Sequence, residues 1–302
     1  MEHASRKKVK RAGEELRLET LRVPPGATVD LERDHDPAFT AGLRDKGAAA
    51  ARLARNVARL AEDQERLYAQ DVHALLIVIQ ALDAAGKDGV IEHVMSGINP
   101  LGCQVTSFKT PSAEELDHDY LWRCSKALPA RGMLGIFNRS YYEEVLVVRV
   151  HPEYLERQKL PAGARKGLWQ RRYREINAFE RYLVDNGIHL LKLFLNVSRA
   201  EQRRRFLERI DRVEKNWKFA TADVQERAHW DDYQRAYAEC LGRTSTRWAP
   251  WYVVPADKKW FTRLAVSELI VRQLVALKLD YPKASPERRR ELAAMRAQLE
   301  GE

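Results

Sequence analysis

Residues 73–80 read His-Ala-Leu-Leu-Ile-Val-Ile-Gln, an apolar run without the alternating polarity of a strand that has one wet face. Such a strand needs cover on both faces, which limits the fold more than any other feature of the chain. Similar short runs recur at 133–138, 188–196 and 251–254, and 104–109 is a further strand candidate. Around them lie stretches of helical character at 46–69, 90–96, 114–127, 161–186, 199–242 and 261–278. In the first of these Leu53, Val57, Leu60, Ala61 and Leu67 follow a period of about 3.6 residues. Short buried strands alternating with helices predict a parallel sheet between two helix layers, an α/β three-layer sandwich. No repeat and no convincing linker breaks the pattern. The expected organisation is one domain over 46–282, an irregular extension at 1–45 carrying Pro24, Pro25 and Gly26, and a charged tail at 283–302.

Composition narrows the partners. Among 302 residues, 52 Lys+Arg face 43 Asp+Glu, a net charge of +9. That excess suits polyanions such as nucleic acid, an anionic membrane or phosphate compounds, or simply a well-solvated surface. Cys103, Cys124 and Cys240 are too few and too scattered for a disulfide framework or a zinc site, and are expected to pack in the interior. A reducing cytoplasm is the expected compartment. The longest apolar runs, 72–79 and 188–197, fall short of the ~18 residues a membrane span needs. The basic start (Arg6, Lys7, Lys8, Lys10, Arg11) is followed by no apolar stretch, so no secretory signal is expected.

The first strand runs into Asp83-Ala84-Ala85-Gly86-Lys87-Asp88-Gly89 and then a helix. A glycine-containing turn between strand and helix offers backbone N–H groups and a positive helix end to a phosphate. Lys87 would act as a point charge on the outer phosphates. As a Walker A loop the match is poor, with Ala81 in place of the first Gly and Asp88 in place of the Ser/Thr. An ordinary turn with a surface lysine fits the spacing too. Asp83, at the end of the strand, reads as a metal ligand or as the group that orients an acceptor phosphate, since Mg²⁺ takes one or two carboxylates plus phosphate oxygens. Asp88 reads as a metal ligand or as a carboxylate favoured by the helix dipole. At the end of the strand at 133–138, Asn138 stands where phosphate-transfer folds place an acidic residue, and Arg139 can fork onto phosphate oxygens.

Three blocks, Asp83-Ala-Ala-Gly-Lys-Asp-Gly89, Phe137-Asn-Arg-Ser-Tyr-Tyr-Glu143 and Glu214-Lys-Asn-Trp-Lys-Phe219, resemble the signatures of the polyphosphate kinase 2 family. Supporting blocks are Asp119-Tyr-Leu-Trp-Arg123, Arg172-Tyr-Arg174 with Phe179-Glu180, Thr244-Ser-Thr246, and 249–257 with Lys259-Trp260. The resemblance spans about residues 45–280. It implies a P-loop kinase-like α/β/α fold with a helical lid at about 199–222. It implies Mg²⁺-dependent transfer of a terminal phosphoryl group between inorganic polyphosphate and a nucleotide, with Mn²⁺ as the other candidate ion. By position, Asp83, Lys87 and Arg139 take catalytic roles, and Asp83 and Asn138 hold the metal. Ala84, Ala85, Gly86, Asp88, Gly89, Asn138 and Glu143 contact nucleotide or phosphate, as do Arg203, Lys215 and Lys218 of the lid. Asn138 followed by Tyr-Glu resembles the subgroup that accepts nucleoside monophosphates as well as diphosphates. Homodimers or homotetramers are implied as well.

Two basic stretches remain. In 199–218 most cations suit a solvated helix with pairs such as Glu208–Arg212, while some would close over a phosphate chain, with Trp217 and Phe219 anchoring the base of the lid in the core. The second set, 165–174 with Arg172 and Arg174, would line the path of the polyphosphate tail or form an exposed helix face. Aromatics sit singly near these stretches, which favours a bare phosphate polymer over nucleic acid. The competing functions are an ATP-dependent nucleotide or small-molecule kinase and a non-catalytic polyanion-binding module.

Overall fold

The computed structural model describes residues 16–302. Its sheet has strands β1 (Ala74–Ala81), β2 (Cys103–Ser107), β3 (Leu134–Asn138), β4 (Ile188–Asn196) and β5 (Trp251–Pro255). They are all parallel in the order β2-β3-β1-β4-β5. β1 is central and every one of its residues is buried, as its unbroken apolar pattern requires. Each strand lies within two residues of its expected bounds.

The longer helices are α1 (Lys46–Gln70), α2 (Lys87–Val94), α3 (Leu168–Asp185), α4 (Arg199–Asp211), α5 (Trp230–Thr244), α6 (Lys259–Ala276) and α7 (Pro286–Glu300). Alternate β1 side chains feed two separate cores. Leu75, Ile77 and Ile79 pack with Leu60 and Leu67 of α1, Val90 of α2 and Leu264 and Ile270 of α6. Leu76 and Val78 pack with Tyr173 and Ile176 of α3 and Tyr237 and Leu241 of α5. Two cores on opposite faces of one sheet make the three-layer sandwich. α1 starts where the Asp45 side chain accepts from the Gly47 and Ala48 N–H groups, and stops at Asp71, whose φ is +52°.

Local chemistry shifts three of the expected elements. The helix expected at 114–127 splits into Ala113–Leu116, closed by a Ser112/Glu115 capping box, and Trp122–Lys126. Between them Asp119 folds back to accept from the Leu121 N–H. The helix expected at 161–186 begins only at Leu168, because Gly163 and Gly167 take φ values of +78° and +64°. The stretch 199–242 breaks into α4, a 3₁₀ turn at Val213–Lys218, a short helix at Thr221–Glu226 and α5. The described part of the expected extension is woven into the domain: Leu16, Leu18, Leu21 and Val23 are buried, and the Val23 N–H donates to the Trp251 carbonyl at 2.9 Å. α7, in the tail, has no buried residue. No helix among the described residues is long and apolar enough to cross a membrane.

Beneath the end of β3 lies a buried polar knot. Lys192 of β4 donates to Glu180 Oε2 at 2.7 Å, Tyr142 OH at 2.9 Å and the Thr244 carbonyl at 2.7 Å. Tyr141 and Tyr142 donate to Glu180 Oε1 at 2.9 and 2.7 Å. Lys192 and Glu180 are both fully buried, and each is compensated by charge and hydrogen bonds. The knot fixes the segment just after Asn138 and Arg139, which carries the second half of the site.

Candidate active site

The strand ends of β1 and β3 are neighbours, with Ile79 paired to Asn138. After β1 the chain turns through Ala84 (φ +60°) and Gly86 (φ +108°) and enters α2 at Lys87. Only glycine takes the second conformation without strain. Lys87 Nζ reaches back to the Ala81 carbonyl at 2.9 Å. Burial lowers its ammonium to about 8; the nearby Arg139 charge adds to this, and Asp83, Glu143 and Asp88 oppose it.

Arg139 also has a left-handed backbone, φ +65°. Its guanidinium spans two carboxylates, Asp83 Oδ1 at 2.6 Å and Glu143 Oε2 at 2.8 Å. Glu143 and Asp83 hold it charged against the opposing effect of burial. A carboxylate on each arm fixes the plane of the fork.

Asn138 Nδ2 donates to Asp88 Oδ1 at 2.9 Å, while Asn138 Oδ1 is buried without a partner. An orphaned oxygen beside the Asp88 carboxylate, with Asp83 across the loop, is a donor set a hard divalent cation accepts. Among the described residues no three His, Cys, Asp or Glu side chains converge to hold an ion by themselves. These residues therefore fit an ion shared with phosphate oxygens and water.

The lid rises over this floor. A cleft of about 480 Å³ is bounded below by the 83–89 loop, Asn138 and Arg139, and above by Arg205, Glu208, Arg209, Lys215 and Lys218. Lys109, Lys259 and Arg263 complete its wall. The nine cations lining it outnumber three carboxylates, so the cleft favours a multiply charged anion. Glu143 lies beyond Arg139, in a smaller pocket shared with Asp223, Glu226 and Tyr233. Lys215 pairs with Glu208, and Arg209 lies 3.3 Å from Asp223. The expected Glu208–Arg212 pair is present at 3.4 Å.

The structure brings together Asp83, Ala84, Ala85, Gly86, Lys87, Asp88, Gly89, Asn138, Arg139, Lys215 and Lys218 at this cleft. Four expectations need correction. Arg203 is exposed and outside the cleft wall, because it sits on the solvent side of α4. Arg172 is buried, bound to Glu144 at 3.0 Å and to Gln158 Oε1 at 2.5 Å, so it is a packing residue between α3 and the 141–158 segment. Arg174 is exposed on α3 and likewise off the cleft. Trp217 is 78% exposed and anchors nothing in the core. Of the cysteines, Cys124 and Cys240 are buried and Cys103 partly so. The site choice from sequence left out Lys109, Arg205, Arg209, Lys259 and Arg263. Helical spacing held a signal for two of them: Gln202, Arg205, Phe206 and Arg209 fall on one face of α4, and Arg203 does not.

A parallel sheet in this order, with a cationic strand-to-helix turn at its centre and a helical lid above, defines a P-loop kinase-like protein built to handle phosphate. The family model of polyphosphate kinase 2 (PPK2) matches residues 43–282, and the chain belongs to that family. It is 55% identical over 249 residues to an ADP-polyphosphate phosphotransferase of Rhodopseudomonas palustris, covering 82% of this chain and 86% of the relative. It is 45% identical to an AMP/ADP-polyphosphate phosphotransferase of Meiothermus ruber, covering 88% of this chain and 96% of that one. The crystal structure of polyphosphate kinase 2 from Arthrobacter aurescens TC1 superposes with a TM-score of 0.85 at 42% identity, covering 94% of this chain and 96% of the other.

Proposed function

We infer that this protein transfers the terminal phosphoryl group of inorganic polyphosphate to nucleotides, making ATP from ADP and ADP from AMP, reversibly and with Mg²⁺. The observation that carries this reading is the cleft: cations on floor and lid enclose a loop that adds oxygen donors at Asp83, Asp88 and Asn138. A bare phosphate polymer fits such a cleft better than a nucleic acid, whose bases call for stacking platforms.

Transfer between phosphates needs little covalent help from a protein, and positioning with charge stabilisation does most of the work. Lys87 and the loop N–H groups hold the donor end. Arg139, its fork held in orientation by Asp83 and Glu143, binds the oxygens of the phosphoryl group in flight. An acceptor phosphate oxygen attacks the terminal phosphorus as its bond to the bridging oxygen of the chain breaks. Asn138, Asp83 and Asp88 would hold the divalent cation, which supplies neutralisation of phosphate charge. Lys215 and Lys218 close over the polymer. The same proposal includes a cytoplasmic location and a homodimer or homotetramer, the latter to be checked by light scattering.

The test is incubation with polyphosphate, Mg²⁺ and either AMP, ADP or GDP, following the products by chromatography. ATP from ADP and ADP from AMP, each abolished by EDTA, is the expected result. Phosphorylation of a nucleotide by ATP but never by polyphosphate would favour an ATP-dependent kinase. Polyphosphate binding without any transfer would favour a passive polyanion module.

A further inference from the structure

One face of α4 holds the phosphate loop by its carbonyls. Gln202 Nε2 donates to the Asp83 carbonyl at 2.9 Å. Arg205 Nη1 donates to the Ala84 carbonyl at 3.0 Å and the Ala85 carbonyl at 2.6 Å. Three consecutive carbonyls of the loop therefore face the helix. Arg205 continues to the end of β5, where Nη2 donates to the Ala256 carbonyl at 2.6 Å and, more weakly, to that of Asp257 at 3.4 Å. Its Nε donates to Glu201 Oε1 at 2.7 Å. A guanidinium has five N–H donors. Arg205 makes five bonds to protein groups, so none is left for a ligand, although it borders the cleft. The side chain is 4% exposed.

A carbonyl turned into an anion site repels phosphate, and a left-handed alanine such as Ala84 persists only where its surroundings hold it. We propose that Gln202 and Arg205 are positioning residues for the transfer reaction: they hold the carbonyls of residues 83–85 away from the cleft, so that the loop offers N–H groups to phosphate, and they touch no phosphate themselves. The proposal rests on the phosphotransfer reading above. It assigns α4 a second role, since the helix that carries the lid also sets the shape of the loop beneath it. Glu201 balances the buried charge of Arg205. Its carboxyl is lowered to about 2, by its bonds from Arg204 first and Arg205 next, against burial, so it stays anionic at any working pH.

The variants are Arg205→Lys, which keeps the charge but cannot span carbonyls on two elements, and Gln202→Leu, which removes one bond and serves if the first does not fold. Hydrogen exchange of the 83–89 amides, measured without substrate, reads the clamp directly. Both variants should exchange faster there than the wild type, and Arg205→Lys also beside Ala256 and Asp257, whose carbonyls it releases, with the rest of the chain unchanged. With polyphosphate, Mg²⁺ and ADP, kcat should fall about tenfold or more for Arg205→Lys and a few-fold for Gln202→Leu, as for loss of preorganised positioning. Wild-type exchange at 83–89 in both variants overturns the clamp, and a raised KM for polyphosphate in Arg205→Lys with that unchanged exchange would make Arg205 a direct ligand whose planar fork lysine cannot replace. An inactive wild type would sink the phosphotransfer reading instead, while the exchange data would still decide whether the clamp exists.

Discussion

On the floor of the cleft, Lys87 and Arg139 are tied to the protein, one to the Ala81 carbonyl and the other to Asp83 and Glu143. In the lid, Lys218 is exposed, with its ammonium 4.8 Å from the Trp217 ring centre, and Lys215 pairs with Glu208 within the lid itself. Floor cations are fixed before substrate arrives. Lys218 is wet and Lys215 is held by an ion pair inside the lid, so under the proposed function these two would adapt to a chain of phosphates. The proposed function would then divide the labour, with preorganised charge acting on the reacting group and adaptable charge retaining the polymer. The first should show mainly in kcat, the second in KM and its salt dependence.

The largest effect expected is from breaking the floor. Lys87→Ala should lower kcat for ATP formation by about 10²–10³-fold, the range for removing one preorganised group from a dry site. Asp83→Asn should do similar damage by removing the charge that holds one arm of Arg139 and leaving the cation site one oxygen where the carboxylate offered two. Near wild-type kcat in both, measured by coupled assay, would place the reacting centre elsewhere.

The pH profile bears on the floor alone. Burial lowers the Lys87 ammonium to about 8 in the free protein, so it is charged below that value and neutral above it. Bound phosphate favours the charged form and pulls the value up again. The profile of kcat/KM for polyphosphate should therefore fall as pH rises through about 8, while kcat falls only at higher pH. A kcat/KM that stays flat well into the alkaline range would show that the charge of Lys87 is not used in binding.

Lid substitutions should act more gently. Lys218→Ala should raise KM for polyphosphate a few-fold, with kcat almost unchanged and a shallower dependence of KM on salt, as expected for one exposed cation. A large drop in kcat with unchanged KM would erase the distinction between floor and lid.

The sheet was legible in the sequence because β1, β3, β4 and β5 carry the largely apolar runs of buried parallel strands, whereas β2, at the sheet edge, is mostly exposed and offered a weaker signal. The floor of the site was legible because chemistry concentrates at strand ends, where Asp83, Lys87, Asn138 and Arg139 stand close in sequence to the strands that place them. The lid was read less well. Its cations look alike in composition, and only the direction each takes from α4 separates Arg205 and Arg209 from Arg203. Arg172 shows the same difficulty on α3: its charge suggested phosphate, whereas a distant carboxylate, Glu144, had claimed it. Breaks at Gly163, Gly167 and Asp119 were hidden because local turn chemistry overrode the surrounding helical pattern.

The smallest expected effect is a test of direction along one helix. Arg203 and Arg209 lie on the same helix, α4, yet Arg209 lines the cleft and Arg203 is exposed away from it. If net positive charge near the site were what mattered, Arg203→Ala and Arg209→Ala would weaken polyphosphate binding alike, since each lowers the total by one. If placement matters, Arg209→Ala raises KM and also frees Asp223, its partner at 3.3 Å, into the pocket behind Arg139. Arg203→Ala should then leave KM and kcat within about twofold and stability within about 0.5 kcal/mol, as is usual for a solvated surface position. Measured side by side at low salt, where long-range fields are strongest, the pair separates a diffuse field from a built site. Equal losses from the two would mean that the basic excess of the chain acts as a field, and that the cleft geometry adds little to it.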